Sequence, residues 1–299
     1  MIQTSIDIQT TRIGVVGAGS WGTALANLLA QKGFSVAHWV YEPDVKDSMI
    51  AERENRRFLP GVTLSDNLHP SGDVEAVVAD KDLVLVVTPS HVTRETMSRC
   101  ASAIGDGTIV VSASKGIENQ THLTMSGVLR EVIPGLRADR LAVLTGPSFA
   151  REVARLVPTV VTVAARNTDT AVFVQETFVT EYFRVYTIED VIGAELGASV
   201  KNVIAIAAGV IDGLGLGLNT RAALITRGLV EIRRLGLAMG AQPRTFTGLA
   251  GIGDLILTCT GDLSRNHTIG KQIGEGKKLG DLLAQMHMVA EGVKTAKSV

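Results

Sequence analysis

Ile13-Gly14-Val15-Val16-Gly17-Ala18-Gly19-Ser20-Trp21-Gly22 is the stretch on which the fold turns. A short apolar strand runs into a glycine turn, and a helical pattern from about Ser20 to Lys32 follows. Gly17 permits the tight turn, Gly19 lets the backbone approach a pyrophosphate, and Gly22 lets the helix pack closely on the strand. The helix start then presents unpaired N–H groups and a positive dipole end to two phosphates. A bare GxGxxG is an ordinary glycine turn; a strand before it and a helix after it, at βαβ spacing, make it a dinucleotide signal. The second strand ends Trp39-Val40-Tyr41-Glu42, with Glu42 20 positions past Gly22, where a carboxylate can bond ribose hydroxyls. On its own Glu42 favours NAD, and its bland reading is a solvated surface residue, so NAD and NADP both stay open.

Outward from this turn, β-rich apolar runs alternate with helical patterns: Arg12 to Val16, Val36 to Val40, Leu83 to Thr88, Thr108 to Ser112 and Leu141 to Leu144. That rhythm predicts parallel βαβ units. The continuous Leu83-Val84-Leu85-Val86-Val87 reads as a strand covered on both faces. Thr159 to Ala164 and Phe183 to Tyr186 extend the sheet, with room for an antiparallel pair. Beyond about Gly193, Ala, Leu, Ile and Gly recur every three or four residues, which predicts bundled helices. The expected fold is α/β: a Rossmann-type, doubly wound, mostly parallel sheet in 1–192 and an all-helical domain in 193–299. No low-complexity linker separates the two, so a packed boundary is expected.

Composition narrows the function classes. The chain has 299 residues, enough for two modest domains without staples. Cys100 and Cys259 lie outside any metal-ligand or disulfide spacing, which fits a reducing cytoplasm and predicts no metal. With 29 basic and 30 acidic residues, the chain lacks the electrostatic footprint of a nucleic-acid binder. Met1 to Thr11 carries no apolar run of a secretory signal. The most apolar stretch, Val203 to Ile211, is nine residues long and falls short of the roughly 20 that span a bilayer. No membrane insertion is expected.

Two lysines stand in settings that favour chemistry. Lys115, in Ser112-Ala113-Ser114-Lys115-Gly116, lies just past the carboxyl end of an expected strand, the edge where open parallel sheets bind ligands. Lys201 lies in an apolar helical run continuing to Ala208, where desolvation would lower its pKa toward neutrality. A snorkelling lysine, or one paired with a structural carboxylate, is the plainer reading of Lys201 alone. Gly251-Ile252-Gly253-Asp254-Leu255 and Ser264-Arg265-Asn266 then add a carboxylate, a bidentate cation and neutral donors, a set suited to phosphate.

Together these segments resemble the bacterial-type NAD(P)-dependent glycerol-3-phosphate dehydrogenase family, in motif order along nearly the whole chain. The landmarks are GAGSWGTALA at Gly17 to Ala26, NRRFLPG at Asn55 to Gly61, SKGIE at Ser114 to Glu118 and GPSFA at Gly146 to Ala150. Glu195 to Gly209, Gly251 to Leu255, Ser264 to Asn266 and Val289-Ala290-Glu291-Gly292 follow in the second half.

The resemblance implies hydride transfer between NAD(P)H and dihydroxyacetone phosphate, giving sn-glycerol 3-phosphate for glycerophospholipid synthesis. It implies Lys201 as proton donor, with Asp254 beside it, and Lys115 bridging cofactor and substrate. Gly146, Ser148, Asn202 and Thr258 would line the substrate site; Ser264, Arg265 and Asn266 would form its phosphate end, with Arg265 also near the dinucleotide. Ser20, Trp21, Tyr41, Ala150, Val289 and Glu291 would complete the cofactor shell, and a homodimer is implied. The chain departs from the family pattern in two places. Tyr41 stands where relatives often carry an Arg or His able to meet a 2′-phosphate, and the chain stops at Val299 where the family usually continues through more helix. Another 3-hydroxyacid or 6-phosphogluconate dehydrogenase, or a non-catalytic dinucleotide sensor, are the competing readings.

Overall fold

The computed structural model describes residues 6–285 and 289–299; the first five residues of the segment read for a secretory signal lie outside the described residues. Among the described residues, eight strands form one sheet: β1 (Ile13–Val16), β2 (Val36–Trp39), β3 (Leu68–Ser71), β4 (Leu83–Val86), β5 (Ile109–Ser112), β6 (Leu141–Thr145), β7 (Thr159–Ala165) and β8 (Phe183–Ile188). Their order is β3-β2-β1-β4-β5-β6-β7-β8, parallel throughout except for the antiparallel pair β6 and β7. The chain order reverses between β1 and β4, which opens the crevice where doubly wound sheets bind ligands.

Among the described residues, seven helices accompany the sheet: α1 (Ser20–Gln31), α2 (Pro43–Ala51), α3 (Val74–Val78), α4 (Ser90–Cys100), α5 (Met125–Val132), α6 (Ala150–Ala154) and α7 (Thr168–Phe178). Alternate strand residues feed two apolar layers, as a two-residue side-chain period requires. Ile13, Val15, Leu83, Leu85, Ile109 and Val111 pack into one layer; Val16, Val84, Val86 and Val110 pack into the other. Every residue of β1, β4 and β5 is therefore buried, as the unbroken apolar runs predict. β3 is the strand that sequence patterning does not reveal. Its Leu-His-Pro-Ser buries only Leu68 fully, and Pro70 is tolerated because β3 is an edge strand.

The second half is helical as expected: α8 (Val191–Gly213), α9 (Gly217–Ala238), α10 (Asp254–Thr260), α11 (Arg265–Gly274), α12 (Leu279–Gln285) and α13 (Glu291–Thr295). α8 is longer than the apolar stretch read from sequence, and by length and composition alone it could cross a bilayer. Two-thirds of its apolar window is instead buried inside the protein, together with Glu195 and Lys201. This is the core helix of the second half. α9, α10, α11 and α13 all pack on it.

The tightest of these contacts is the α8/α11 crossing. A Cβ on Gly270 would lie 1.9 Å from the Ile206 carbonyl oxygen, and one on Gly209 would lie 2.0 Å from that of His267. Backbone meets backbone there, and only glycine permits it. We expect Gly270→Ala to force the helices apart at a cost of about 1–3 kcal/mol. Calorimetry should then record a Tm lower by roughly 2–10 °C.

Candidate functional site

The glycine turn sits at the carboxyl end of β1 and is braced from three sides. Gly17 takes φ +115°, and the buried His38 side chain places Nε2 3.1 Å from its carbonyl oxygen. Burial pushes the His38 pKa down to about 4, so the ring is neutral near pH 7 and serves as a neutral hydrogen-bond partner. A Cβ on Gly22 would lie 1.9 Å from the Gly17 carbonyl oxygen, so α1 packs against the turn itself. Asn55, fully buried in the NRRFLPG segment, donates from Nδ2 to the Ala18 carbonyl and to Thr23 Oγ1, each at 2.8 Å. The landmark motif thus has a mechanical role.

The residues fit a dinucleotide. Nothing lies within 4 Å of where a Gly19 Cβ would stand, so the backbone there faces open space. The N-cap of α1 makes no side-chain cap bond and its first turn holds no acidic residue, which leaves its N–H groups and dipole for an anion. Tyr41 is 70% exposed and meets Trp39 edge-on at 5.9 Å, presenting a ring face to solvent at the end of β2. Glu42 starts α2 as its N-cap residue, without a side-chain cap bond.

Past the ends of β5 and β6 lie the groups that carry charge. Asp254, the first residue of α10, is 1% exposed and holds both lysines: Lys201 Nζ is 3.0 Å from Oδ1, and Lys115 Nζ is 3.1 Å from Oδ2. Lys201 also donates to Thr258 Oγ1 at 2.6 Å, and Thr258 donates to the Asp254 carbonyl oxygen at 2.6 Å. Burial lowers the Lys201 pKa to about 8; the Asp254 charge pulls it up, and the Lys115 charge pushes it further down. A π-helical turn, Leu249–Gly253, delivers Asp254 to this point. Such turns are frequent at functional sites because they re-aim one residue.

The GPSFA loop closes over the same region. Gly146 takes φ +136°, and Ser148 Oγ donates to the Gly146 carbonyl at 3.0 Å. Pro147 and Phe149 pack against Gly253 and Gly261, at the two ends of α10. Ala150 starts α6, which packs on α1.

Ser264 caps α11, accepting from the His267 N–H, so Arg265 and Asn266 occupy the first turn of a ten-residue helix. Helix dipole, guanidinium and the buried Asn266 amide coincide at this end. Asn266 Oδ1 accepts from the Gly292 N–H at 3.0 Å, and Gly292 is wedged between Asn266 and the Asn202 carbonyl. Arg265 and Glu291 attract one another; desolvation lowers the Arg265 pKa and raises that of Glu291. Val289 directly precedes this segment and is half-buried. The structure therefore groups Lys115, Lys201, Asp254 and Thr258 by direct contact. It ties Asn202, Asn266, Arg265 and Glu291 into a second group through Gly292. Tyr41, Ser20 and Trp21 belong to the glycine-turn end.

Three partners escape sequence reading. The Gly116 N–H donates to Ser199 Oγ at 2.9 Å; Ser126 donates through N–H and hydroxyl to buried Glu195; Ser90 does the same to Glu291. Each joins the sheet half to the helical half. Their sequence separations run from 69 to 201 residues, so no local pattern announces them.

The model of the NAD-dependent glycerol-3-phosphate dehydrogenase N-terminus matches residues 12–171, and the C-terminal model of the same family matches 190–299. A glycerol-3-phosphate dehydrogenase [NAD(P)+] of Syntrophobacter fumaroxidans is 56% identical over 96% of this chain and 84% of its own length. Its counterpart in Geobacter metallireducens is 55% identical over 96% and 86%. The crystal structure of glycerol-3-phosphate dehydrogenase from Coxiella burnetii superposes with a TM-score of 0.92 at 40% identity, covering 96% of this chain and 87% of that one.

Asp254→Asn tests the charge arrangement. It leaves two ammonium groups without their shared counter-charge, one of them buried, and should cost about 3–5 kcal/mol of stability. Because Asp254 raises the Lys201 pKa, its loss should move the Lys201 titration below about 8. Amine-selective NMR titration of the folded variant reads the direction.

Proposed function

The chain belongs to the NAD-dependent glycerol-3-phosphate dehydrogenase family, and from that premise we propose that Lys201 is its proton donor. The reaction is NAD(P)H-dependent reduction of dihydroxyacetone phosphate to glycerol 3-phosphate. We assign the dinucleotide to 1–192 and the catalytic groups mainly to 193–299.

The observation that carries the Lys201 reading is its burial against Asp254, with the pKa brought down to about 8. An ammonium so poised is a competent acid near neutral pH, and the neutral amine is a competent base in the reverse direction. The nicotinamide, when bound, supplies the hydride. Lys201 Nζ gives its proton to the carbonyl oxygen as alkoxide charge develops, and is reprotonated from solvent. Asp254 and Thr258 hold Nζ in place; they leave Lys201 one donor direction for substrate, since an ammonium has three N–H bonds.

Lys115 stands on the other oxygen of Asp254, where it can reach both cofactor and substrate. Two ammonium groups against one carboxylate leave a net positive site, suited to a phosphorylated ketone and to its developing oxyanion. Gly146, Ser148 and Asn202 line the substrate. Ser264, Arg265 and Asn266 grip the phosphate at the α11 N-terminus, and that remote grip makes the reacting geometry effectively intramolecular, worth on the order of 7 kcal/mol when aligned. Gly17, Gly19, Ser20, Trp21, Gly22, Tyr41, Ala150, Val289 and Glu291 bound the cofactor.

A cytoplasmic location suits Cys100 and Cys259, both buried and unpaired. A homodimer suits α9, which leaves Leu218 70% exposed beside further apolar residues.

Lys201→Met should abolish turnover by several orders of magnitude while cofactor binding survives; near-normal turnover would refute the assignment. The reduction rate of the parent enzyme should fall as pH rises through about 8, where Lys201 loses its proton, and the oxidation rate should rise over the same range. Arg265→Ala should damage reduction of dihydroxyacetone phosphate far more than that of unphosphorylated dihydroxyacetone, and equal damage to both counts against a phosphate grip.

A further inference from the structure

Ser90 opens α4, four residues past the end of β4, on the side of the crevice where the strand order reverses. Its N–H donates to Glu291 Oε1 at 3.1 Å and its hydroxyl to Glu291 Oε2 at 2.5 Å. One serine therefore occupies both oxygens of a carboxylate from the far half of the chain, 201 positions away. We propose that Ser90 is a positioning residue of the cofactor site, which acts by fixing the Glu291 carboxylate between α4, the Lys115 loop and the start of α11.

Three features of the surroundings make this more than a surface contact. Gly116 takes φ +149°, and a Cβ there would stand 2.5 Å from Ser90 Cβ and 3.2 Å from Glu291 Oε2. The loop that carries Lys115 is thus moulded around the Ser90–Glu291 pair and tolerates no side chain at Gly116. Arg265 lies close enough for its charge to act on Glu291, so the same carboxylate faces the α11 end of the site. Glu291 is also desolvated, and a desolvated carboxylate oxygen deprived of its donor is costly.

Loss of the Ser90 hydroxyl frees Oε2 while the backbone N–H still holds Oε1. The carboxylate then keeps one of its two anchors and loses its fixed orientation beside the Lys115 loop. Ser90 itself needs no contact with cofactor for this. The proposal rests on the reading that Glu291 borders the dinucleotide.

The test titrates NADH and NADPH into the full chain without substrate, for Ser90→Ala, Ser90→Thr and Glu291→Gln, with the Tm of each. Ser90→Ala should weaken cofactor binding on the order of tenfold, because the Glu291 carboxylate is no longer fixed in the orientation the cofactor meets. Its kcat at saturating cofactor should stay within about twofold of the parent, as expected when only binding is lost. Ser90→Thr, which keeps the hydroxyl, should restore affinity. A lowered Tm with unchanged cofactor affinity in Ser90→Ala overturns the proposal. If Glu291→Gln alone weakens binding, Glu291 borders the cofactor and the Ser90 role falls; if neither variant changes affinity, both fall. Should Ser90→Ala not fold, Ser90→Cys, similar in shape and a weak donor, takes its place in the same comparison.

Discussion

One buried carboxylate, shared by two ammonium groups, is the constraint around which this molecule is organised. Asp254 is 1% exposed, and Lys201 and Lys115 reach its two oxygens from different halves of the chain. A charge so far from water is stable only when paired and hydrogen-bonded. The pairing therefore ties the loop after β5 to α8 and α10, and it leaves one uncompensated positive charge at the mouth of the sheet. That surplus suits an anionic substrate, and the Lys115 charge helps to hold the Lys201 pKa down.

Holding these groups in register requires elements that approach more closely than side chains allow. Gly209 and Gly270 let α8 and α11 meet backbone to backbone, which brings the α11 N-terminus alongside the helix that carries Lys201. Gly197 does the same against the Ala250 carbonyl, at the π-helical turn that aims Asp254. Small residues in α8 thus have a positional purpose, and its apolar composition follows from being surrounded by α9, α10, α11 and α13. Glu195 and Lys201 are its buried ionisable side chains, each with partners that satisfy it.

The two halves meet through a repeated device. Glu195 and Glu291 are carboxylates of the helical half, and each accepts from the N–H and hydroxyl of a serine in the first turn of a helix on the sheet. Donors at helix starts lack intrahelical partners, so a carboxylate there satisfies them while meeting the positive dipole end. Ser199, accepting from Gly116, adds a third link between these two. The cleft is in this way framed by hydrogen bonds as well as by apolar packing.

Much of this was legible before any coordinates. Strand β1, the glycine turn and α1 follow from local chemistry: an apolar strand, three glycines with separate steric duties, and a helix start free for phosphate. The runs that became β4 and β5 are apolar throughout because both their faces are covered. Edge strand β3 was not legible, since a Pro-containing segment with one buried residue has no period to read. The π-helical turn before Asp254 was hidden as well; its backbone lies tightly against Phe246 and Gly197, the latter more than 50 positions away. Sequence by itself determined the dinucleotide turn, the α/β rhythm and the residue types capable of the chemistry, all of which depend on neighbours a few positions apart. Only the tertiary structure decided that Lys115 and Lys201 share one carboxylate, that Asn55 braces the glycine turn and that Ser90 holds Glu291. Those facts join residues 32 to 201 positions apart, and only the packing of one element on another sets such distances.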